Sequence, residues 1–415
     1  MNYIIPILGL LGLVFIHELG HFSAAKWTGM RALKFYVGFP PALIKRRWRD
    51  TEYGIGVVPL GGFVKIPGML RPEPSDLWAV EELARHEGVP ADQAARIGVA
   101  HDDLARLIAR GQIDEAAAAA AELRQRVEQV EGATAIERRR ALRCLDRLIE
   151  SADPRGYWRS SRRNRLIVIG AGPLTNIFFA FVLLTVLAVT GLPQPLRAVP
   201  VVAGLEQGLP AQKAGLRVGD RVVAIDGHHI RNFDEVHALI SGGQGRRVDV
   251  QVRRAGSVVD LGQIKPVKQG GRYIIGFIPT AIATTRNVPV WRAPQEGLSQ
   301  MWSMITGSVR GIQSQGTSSL SSPVGIVRVS ASAADTGAPY YLWLLAYISL
   351  SLGILNLLPF LPLDGGHILL IALERIRGRA LSRATFERVS AFGIALVLLL
   401  FLFGLHNDLL GAQPR

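Results

Sequence analysis

The sequence is poor in cysteine and in acidic residues. Cys144 is the single cysteine among 415 residues, which excludes an intrachain disulfide framework and a zinc site built from several thiolates. Only 33 aspartates and glutamates oppose 47 lysines and arginines, so the formal net charge is +14. Such an excess is typical of nucleic-acid-binding chains, and also of membrane proteins in which basic residues flank apolar spans.

The basic residues favour a membrane protein because they cluster beside apolar runs. Three clusters lie at residues 26–49, 159–165 and 375–388, and the positive-inside rule assigns all three to the cytoplasmic side. The hydrophobic fraction of 49% and the mean hydropathy of +0.24 agree with several spans in a lipid bilayer. We therefore expect a multi-pass membrane protein with soluble parts, and no nucleic acid among its partners.

The first apolar run lacks the marks of a cleaved signal peptide. No basic residue precedes it, and residues 3–15 lead into the motif His17-Glu18-Leu19-Gly20-His21 without a small-residue cleavage site. We expect this segment to be retained as a first transmembrane helix. Its N-terminus would lie outside, with the motif near the cytoplasmic end.

The motif has the spacing of a zinc site. Side chains four residues apart share one face of a helix, with Cβ atoms about 5–6 Å apart, so His17 and His21 can bind one ion. Glu18 can take a proton from zinc-bound water. The motif alone arises by chance in many proteins, but a charge at the bilayer centre costs on the order of 2.5–3.5 kcal/mol. Its position in an apolar helix therefore predicts an intramembrane metalloprotease.

Residues 53–65 are dense in glycine and β-branched residues, and they include Gly61, Gly62 and Phe63. The pattern predicts a β-hairpin that is too short to span a bilayer. Two interpretations remain open. The hairpin either lies on the surface, or it is a re-entrant element whose edge strand pairs with a substrate and uses these three residues to bind it.

Residues 76–158 are dominated by arginine, glutamate and alanine, which are strong helix formers. They predict a soluble helical insertion on the cytoplasmic side, without a catalytic constellation. Residues 159–192 follow as the second transmembrane helix, because the apolar run at 166–190 is long enough to span. The run contains Gly172-Pro-Leu-Thr-Asn176, and such residues are tolerated within a span where neighbouring protein satisfies the freed polar groups.

Residues 209–227 predict a small helix, a glycine turn, a strand and an Asp-Gly turn in order. This stretch resembles the PDZ domains of bacterial envelope proteases, closely over about 20 residues and loosely over roughly 70. The resemblance implies one PDZ domain at 197–282, which would bind peptide C-termini or extended segments by adding a strand to a sheet edge.

The last third of the chain predicts a connector at 283–340 and two more spans at 341–410. An amphipathic helix is expected around residues 296–312. The third membrane segment, at 341 to about 371, is broken by prolines and glycines and contains Asn356 and Asp364. The fourth span is expected at 390–405.

A catalytic zinc usually has three protein ligands and one open position. Asp364 is a candidate third ligand, because it is an intramembrane carboxylate predicted at the depth of the histidine motif. A buried aspartate paired with a helix end or an arginine is the alternative. Asn176 or Asn356 is a candidate for binding substrate at the oxyanion, and the sequence does not choose between them.

Together the motif at 17–21, the Gly61-Gly-Phe-Val-Lys65 loop, Gly172-Pro-x-x-Asn176, the PDZ-like stretch and Asn356-x-x-Pro-x-x-x-Leu-Asp364-Gly resemble the site-2 protease family. The bacterial regulator of sigma-E protease type is the best fit. The resemblance implies zinc ligands at His17, His21 and Asp364 and a catalytic Glu18. It also implies a bacterial inner-membrane location with a periplasmic PDZ domain and periplasmic termini, and cleavage of single-span membrane proteins such as anti-sigma factors and signal peptide remnants.

The predicted fold is therefore a mainly α-helical polytopic membrane protein. It has about four transmembrane helices, a re-entrant β-hairpin within 1–75, an inserted α+β PDZ domain and a helical cytoplasmic insertion. Two features depart from the family pattern: there is one PDZ domain where members often have two, and the insertion has no counterpart in the motifs above. The alternative function is a catalytically silent membrane scaffold that binds peptides through its PDZ domain, although such a protein has no need of Glu18.

Overall fold

The computed structural model describes residues 3–269, 271–315, 321–378 and 382–410. The chain divides into two compact units. The first comprises Met1–Val186 and Val290–Arg415, and the second comprises Leu187–Pro289. Arg379, predicted to belong to the third basic cluster, lies outside the described residues.

Helices account for most of the described chain. They are α1 (Ile4–Trp27), α2 (Trp78–Ala84), α3 (Ala91–Ala109), α4 (Ile113–Glu128), α5 (Ala135–Ser151), α6 (Arg162–Thr190), α7 (Pro210–Lys213), α8 (Phe233–Gly242), α9 (Ala293–Gln315), α10 (Pro323–Thr336), α11 (Ala338–Asn356), α12 (Asp364–Arg377) and α13 (Arg383–Leu410). Among the described residues, four helices are long and apolar enough to cross a membrane, namely α1, α6, α11 and α13. This is the number predicted from the sequence.

Strands are found in two regions of the chain. They are β1 (Lys34–Trp48), β2 (Thr51–Lys65), β3 (Leu192–Pro193), β4 (Arg197–Leu205), β5 (Arg221–Ile225), β6 (His228–His229), β7 (Val248–Arg254), β8 (Ser257–Ile264), β9 (Val267–Gln269), β10 (Arg272–Ile274), β11 (Phe277–Ile282) and β12 (Thr285–Arg286). The first two belong to the first unit and the others to the second.

The hairpin of β1 and β2 is longer than the sequence predicts. It begins at Lys34, inside a stretch predicted only to be a basic flank, and ends at Lys65. Residues 34–37 pair with 52–55 and also with 62–65, so the first part of β1 lies between two segments of β2. Register irregularities between residues 37 and 44 let the strand bend between these pairings. Several apolar side chains near this bend are exposed, including Phe39, Leu43 and Ile44.

The segment between β2 and α6 folds into four helices with a core of their own. Helices α2 to α5 bury one apolar face each, as the amphipathic spacing of Leu123, Val127, Leu145 and Leu148 predicts. Helix α5 begins with a capping box in which Thr134 and Glu137 satisfy each other's backbone amides. Hydrogen bonds link this bundle to the hairpin, for example between Lys65 Nζ and Glu150 Oε1 at 2.8 Å.

The second unit is built on a sheet with the order β11-β4-β5-β7-β8, and α8 adds apolar side chains to its core. Asp220, at the turn before β5, is buried and accepts two hydrogen bonds from Arg254, at 2.8 Å from Nε and 2.6 Å from Nη2. The Arg254 guanidinium lowers the pKa of the Asp220 carboxyl. This bidentate pair joins the turn to β7.

The third predicted membrane segment is two helices in the structure. Helix α11 ends at Asn356, and α12 begins at Asp364. Pro359 and Pro362 lie in the connection, where their missing amides and fixed φ angles prevent one continuous helix. The break puts Asp364 in the first turn of its own helix.

Candidate metal centre

Three potential ligand atoms from α1 and α12 converge at one point. The Nε2 atoms of His17 and His21 are 3.2 Å apart. Asp364 Oδ2 lies 3.3 Å from Nε2 of His17 and 3.3 Å from Nε2 of His21. The structure thus brings together two residues of the first span and a carboxylate from the far end of the chain.

The orientation of His21 leaves its Nε2 free to bind a metal. Its Nδ1 lies 2.8 Å from the backbone carbonyl oxygen of Val168 on α6. A carbonyl only accepts hydrogen bonds, so Nδ1 must carry the proton, and Nε2 of the neutral ring then presents a lone pair. Such a hydrogen bond on the far nitrogen is usual for histidines that bind metals.

The three atoms form a triangle that suits zinc. A carboxylate oxygen and imidazole lone pairs repel one another unless a proton or a metal ion lies among them. A tetrahedral zinc with bonds of about 2.0–2.1 Å separates its ligands by about 3.3–3.4 Å. The observed separations of 3.2 and 3.3 Å match this edge length. The donor set of two neutral nitrogens and one carboxylate also matches that of known catalytic zinc sites.

Two glycines allow α1 and α6 to approach closely at this point. A β-carbon at Gly20 would lie 2.6 Å from the carbonyl oxygen of Ala171, and one at Gly172 would overlap the imidazole ring of His21. Any side chain at Gly172 would therefore push His21 away. Gly172 is part of a motif in the sequence, and the structure shows why a glycine is needed there: a larger residue would overlap the His21 ring.

Glu18 lies between α1 and the hairpin. It is 8% exposed, and its carboxylate lies near the backbone of Val64 on β2. A β-carbon at Gly62 would lie 2.8 Å from Glu18 Cγ. The neighbouring Gly61 packs against the ring of Phe39, and the ring of Phe63 stacks on Tyr36 at 5.2 Å. The predicted binding segment at 61–63 thus lies beside the predicted base.

The two candidate asparagines differ in their surroundings. Asn176 is fully buried on α6, and neither polar atom of its side chain has a hydrogen-bond partner among the described residues. Its backbone carbonyl accepts a hydrogen bond from Ser349 Oγ at 2.9 Å. Asn356 is half-buried at the last turn of α11. An unsatisfied buried amide is costly, so Asn176 is the better placed of the two to receive a further polar group.

One functional contact has no sequence signal. The carbonyl of Val168 is a backbone group in an apolar run, so its contact with His21 cannot be predicted from residue type.

A cavity of about 730 Å³ also opens near the metal centre, lined by His367 and by Tyr157, Arg165 and Glu374. Burial raises the pKa of the Tyr157 phenol, whose oxygen has no partner among the described residues.

Comparison with known proteins gives a consistent result along the whole chain. The model of peptidase family M50 matches residues 5–400. The zinc metalloprotease RasP of Geobacillus kaustophilus is 30% identical over 96% of this chain and 95% of its own length. The regulator of sigma-W protease RasP of Bacillus subtilis is 27% identical over 99% of this chain and 98% of its own length.

Proposed function

Since this chain belongs to peptidase family M50, the site-2 protease family, and is a zinc metalloendopeptidase, we propose that His17, His21 and Asp364 hold its zinc ion and that Glu18 is the catalytic base. The observation that supports this assignment most strongly is the triangle of ligand atoms with edges of 3.2 to 3.3 Å. The protein is an integral membrane enzyme of regulated intramembrane proteolysis.

The proposed chemistry is hydrolysis of a peptide bond. When bound, zinc makes water more acidic and polarises the scissile carbonyl. Glu18 takes a proton from the attacking water as its oxygen bonds to the carbonyl carbon. The carbon–nitrogen bond then breaks, and Glu18 returns the proton to the leaving amine. Burial of Glu18 against β2 keeps its carboxylate away from bulk solvent.

We assign substrate positioning to the hairpin and to Asn176. An extended segment that pairs with residues 61–63 would present its carbonyls next to Glu18. Pairing of this kind also exposes a peptide bond that a transmembrane helix otherwise hides in its own hydrogen bonds. The side-chain amide of Asn176, which has no hydrogen-bond partner within the described part of the chain, suits the developing oxyanion, and Asn356 remains the second candidate.

The substrates in this proposal are single-span membrane proteins such as anti-sigma factors and signal peptide remnants. The name of the Bacillus subtilis relative, regulator of sigma-W protease, supports the anti-sigma class. We further propose that residues 197–282 form a PDZ domain for peptide C-termini or extended segments. In this arrangement the enzyme lies in the bacterial inner membrane, the PDZ domain and both termini are periplasmic, and the insertion at 76–158 is cytoplasmic.

The Glu18→Gln variant separates catalysis from metal binding. We expect it to retain about one zinc per chain and to lose cleavage of a model single-span substrate by at least about 100-fold, because the amide cannot accept the water's proton. Asp335→Asn, an exposed carboxylate change on α10, is the matched control and should leave cleavage unchanged. Full cleavage by Glu18→Gln would contradict the assignment of Glu18 as the catalytic base.

A further inference from the structure

An ion pair outside the ligand set joins α6 to α12. Helix α6 contacts His21 through the Val168 carbonyl, and α12 carries Asp364. Arg165 Nη1 lies 2.9 Å from Glu374 Oε2, and Arg165 Nη2 lies 3.0 Å from Glu374 Oε1. The two side chains are only 12% and 20% exposed. Two parallel N–H···O bonds hold both side chains in one plane, so this geometry fixes orientation as well as distance.

Each partner lies on a helix that leads to the metal centre. Arg165 precedes Val168 by three residues on α6, and the Val168 carbonyl holds the Nδ1 proton of His21. Glu374 lies on α12, which begins with Asp364. Glu374 follows Asp364 by ten residues, which is about 15 Å along the helix axis. A shift of α12 relative to α6 would therefore change the separation of Asp364 from His21.

The surroundings hold Arg165 in place. Its guanidinium lies 5.8 Å from the centre of the Tyr157 ring, and the Tyr157 amide donates to the Pro67 carbonyl at 2.9 Å. Ile368 of α12 packs against an apolar cluster that includes Val168 and Ile169 of α6. The ion pair thus prevents sliding or rotation that apolar packing alone tolerates, because apolar contacts are non-directional.

We propose that Arg165 and Glu374 are positioning residues for the zinc site, which set the distance between Asp364 and the two histidines. The proposal rests on the assignment of His17, His21 and Asp364 as ligands. An ion pair that only stabilised the fold would lower the unfolding temperature without changing metal affinity. A positioning pair changes the affinity itself, because a displaced carboxylate makes a longer and weaker bond.

The test measures zinc affinity by competition with a fluorescent chelator, using the full-length protein in detergent after removal of its metal. Glu374→Gln keeps the side-chain shape and removes the charge, and Arg165→Lys keeps the charge and removes the planar fork. We expect each to weaken zinc binding by about 10- to 100-fold, the range typical of residues that support metal ligands. The unfolding temperature of each metal-free variant, measured in parallel, shows whether it is folded.

Arg162→Met is the matched control. Arg162 Nε is 3.9 Å from the same glutamate, but its side chain is 49% exposed, so its loss should change zinc affinity by less than about threefold. The reversed pair Arg165→Glu with Glu374→Arg should bind zinc more tightly than either single reversal, because the ion pair is restored. Affinity within twofold of wild type in a folded Glu374→Gln variant would overturn the proposal. So would a reversed pair as weak as its single reversals.

The same assay keeps this proposal distinct from the assignment of the ligands. Asp364→Ala should lose zinc at the concentrations that saturate the wild type. Retained zinc in Asp364→Ala would contradict the ligand assignment itself. Lost zinc there, together with unchanged affinity in Glu374→Gln, would leave the ligands in place and remove only the positioning role.

Discussion

At the scale of single residues, some contacts of the metal centre can be predicted from residue type and others cannot. His17, Glu18 and His21 follow a fixed spacing, and Asp364 is a rare carboxylate in apolar sequence, so the sequence could offer all four as candidates, and the structure brings His17, His21 and Asp364 together. The backbone carbonyl of Val168 could not, because every residue has one. Which carbonyl meets His21 depends on how α1 and α6 cross, and helix crossing is a property of the folded chain.

A substitution at Gly172 tests that crossing. In Gly172→Ala the new methyl group would overlap the His21 ring, so the imidazole must turn away from its zinc-binding orientation. We expect zinc content to fall well below one per chain and cleavage to fall by at least about 100-fold, since a displacement of about 1 Å can cost that much. Zinc can be measured by mass spectrometry of the purified protein.

Gly170→Ala serves as the control because it makes the same change on the same helix. The nearest atom that a β-carbon would meet at Gly170 is 4.0 Å away, which is ordinary contact. This variant should keep its zinc and its activity. Equal behaviour of the two variants would mean that the close approach at Gly172 does not control the site.

At the scale of elements, the hairpin departs most from the sequence-based prediction. Residues 34–48 form β1. In the sequence, Lys45, Arg46 and Arg47 instead indicate a basic flank, because they interrupt the alternation of apolar and polar residues that is typical of a strand. Only the glycine-rich residues 53–65, which lie in β2, had a sequence pattern that predicts a strand. The doubled pairing of residues 34–37 with two parts of β2 is a long-range property, because register depends on partners that local sequence does not identify.

A change at Gly62 tests the contact between this hairpin and α1. A β-carbon there would lie 2.8 Å from Glu18 Cγ and 2.7 Å from the carbonyl oxygen of Tyr36. Gly62→Ala should therefore displace the carboxylate or the strand while leaving the metal ligands alone. We expect kcat to fall by about 10- to 100-fold with about one zinc per chain retained, in contrast to Gly172→Ala.

Gly12→Ala on α1 is the control, since its β-carbon would meet no atom within 4 Å. It should leave kcat within about twofold of wild type. Loss of zinc in Gly62→Ala would show that the hairpin supports the metal centre rather than the base, contrary to the proposed division of roles.

At the scale of the whole molecule, the four candidate spans were predictable because apolar runs long enough to cross a bilayer are rare in soluble domains. The break between α11 and α12 was harder to place, although its prolines and glycines are visible in the sequence. The side on which each part of the chain lies is a proposal that rests on the positive-inside rule. The single cysteine makes that proposal easy to test.

Cysteine labelling in intact cells examines the orientation. Cys144 is buried, and a Cys144→Ser background allows one new cysteine at a time. A cysteine in place of the exposed Arg106 in the insertion should react with a membrane-impermeant thiol reagent only after the inner membrane is opened. A cysteine in place of the exposed Arg231, in the second unit, should react with the same reagent while the inner membrane is still intact. The opposite order would invert the proposed topology.

The most direct test of the metal centre is X-ray absorption at the zinc edge on the purified protein, with Asp364→Ala compared with wild type. We predict one zinc per chain, with two imidazole nitrogens and at least one oxygen at about 2.0–2.2 Å in the wild type. The zinc signal should be lost or its oxygen shell reduced in the variant. An identical zinc environment in the two proteins would contradict the claim that α1 and α12 share one ion.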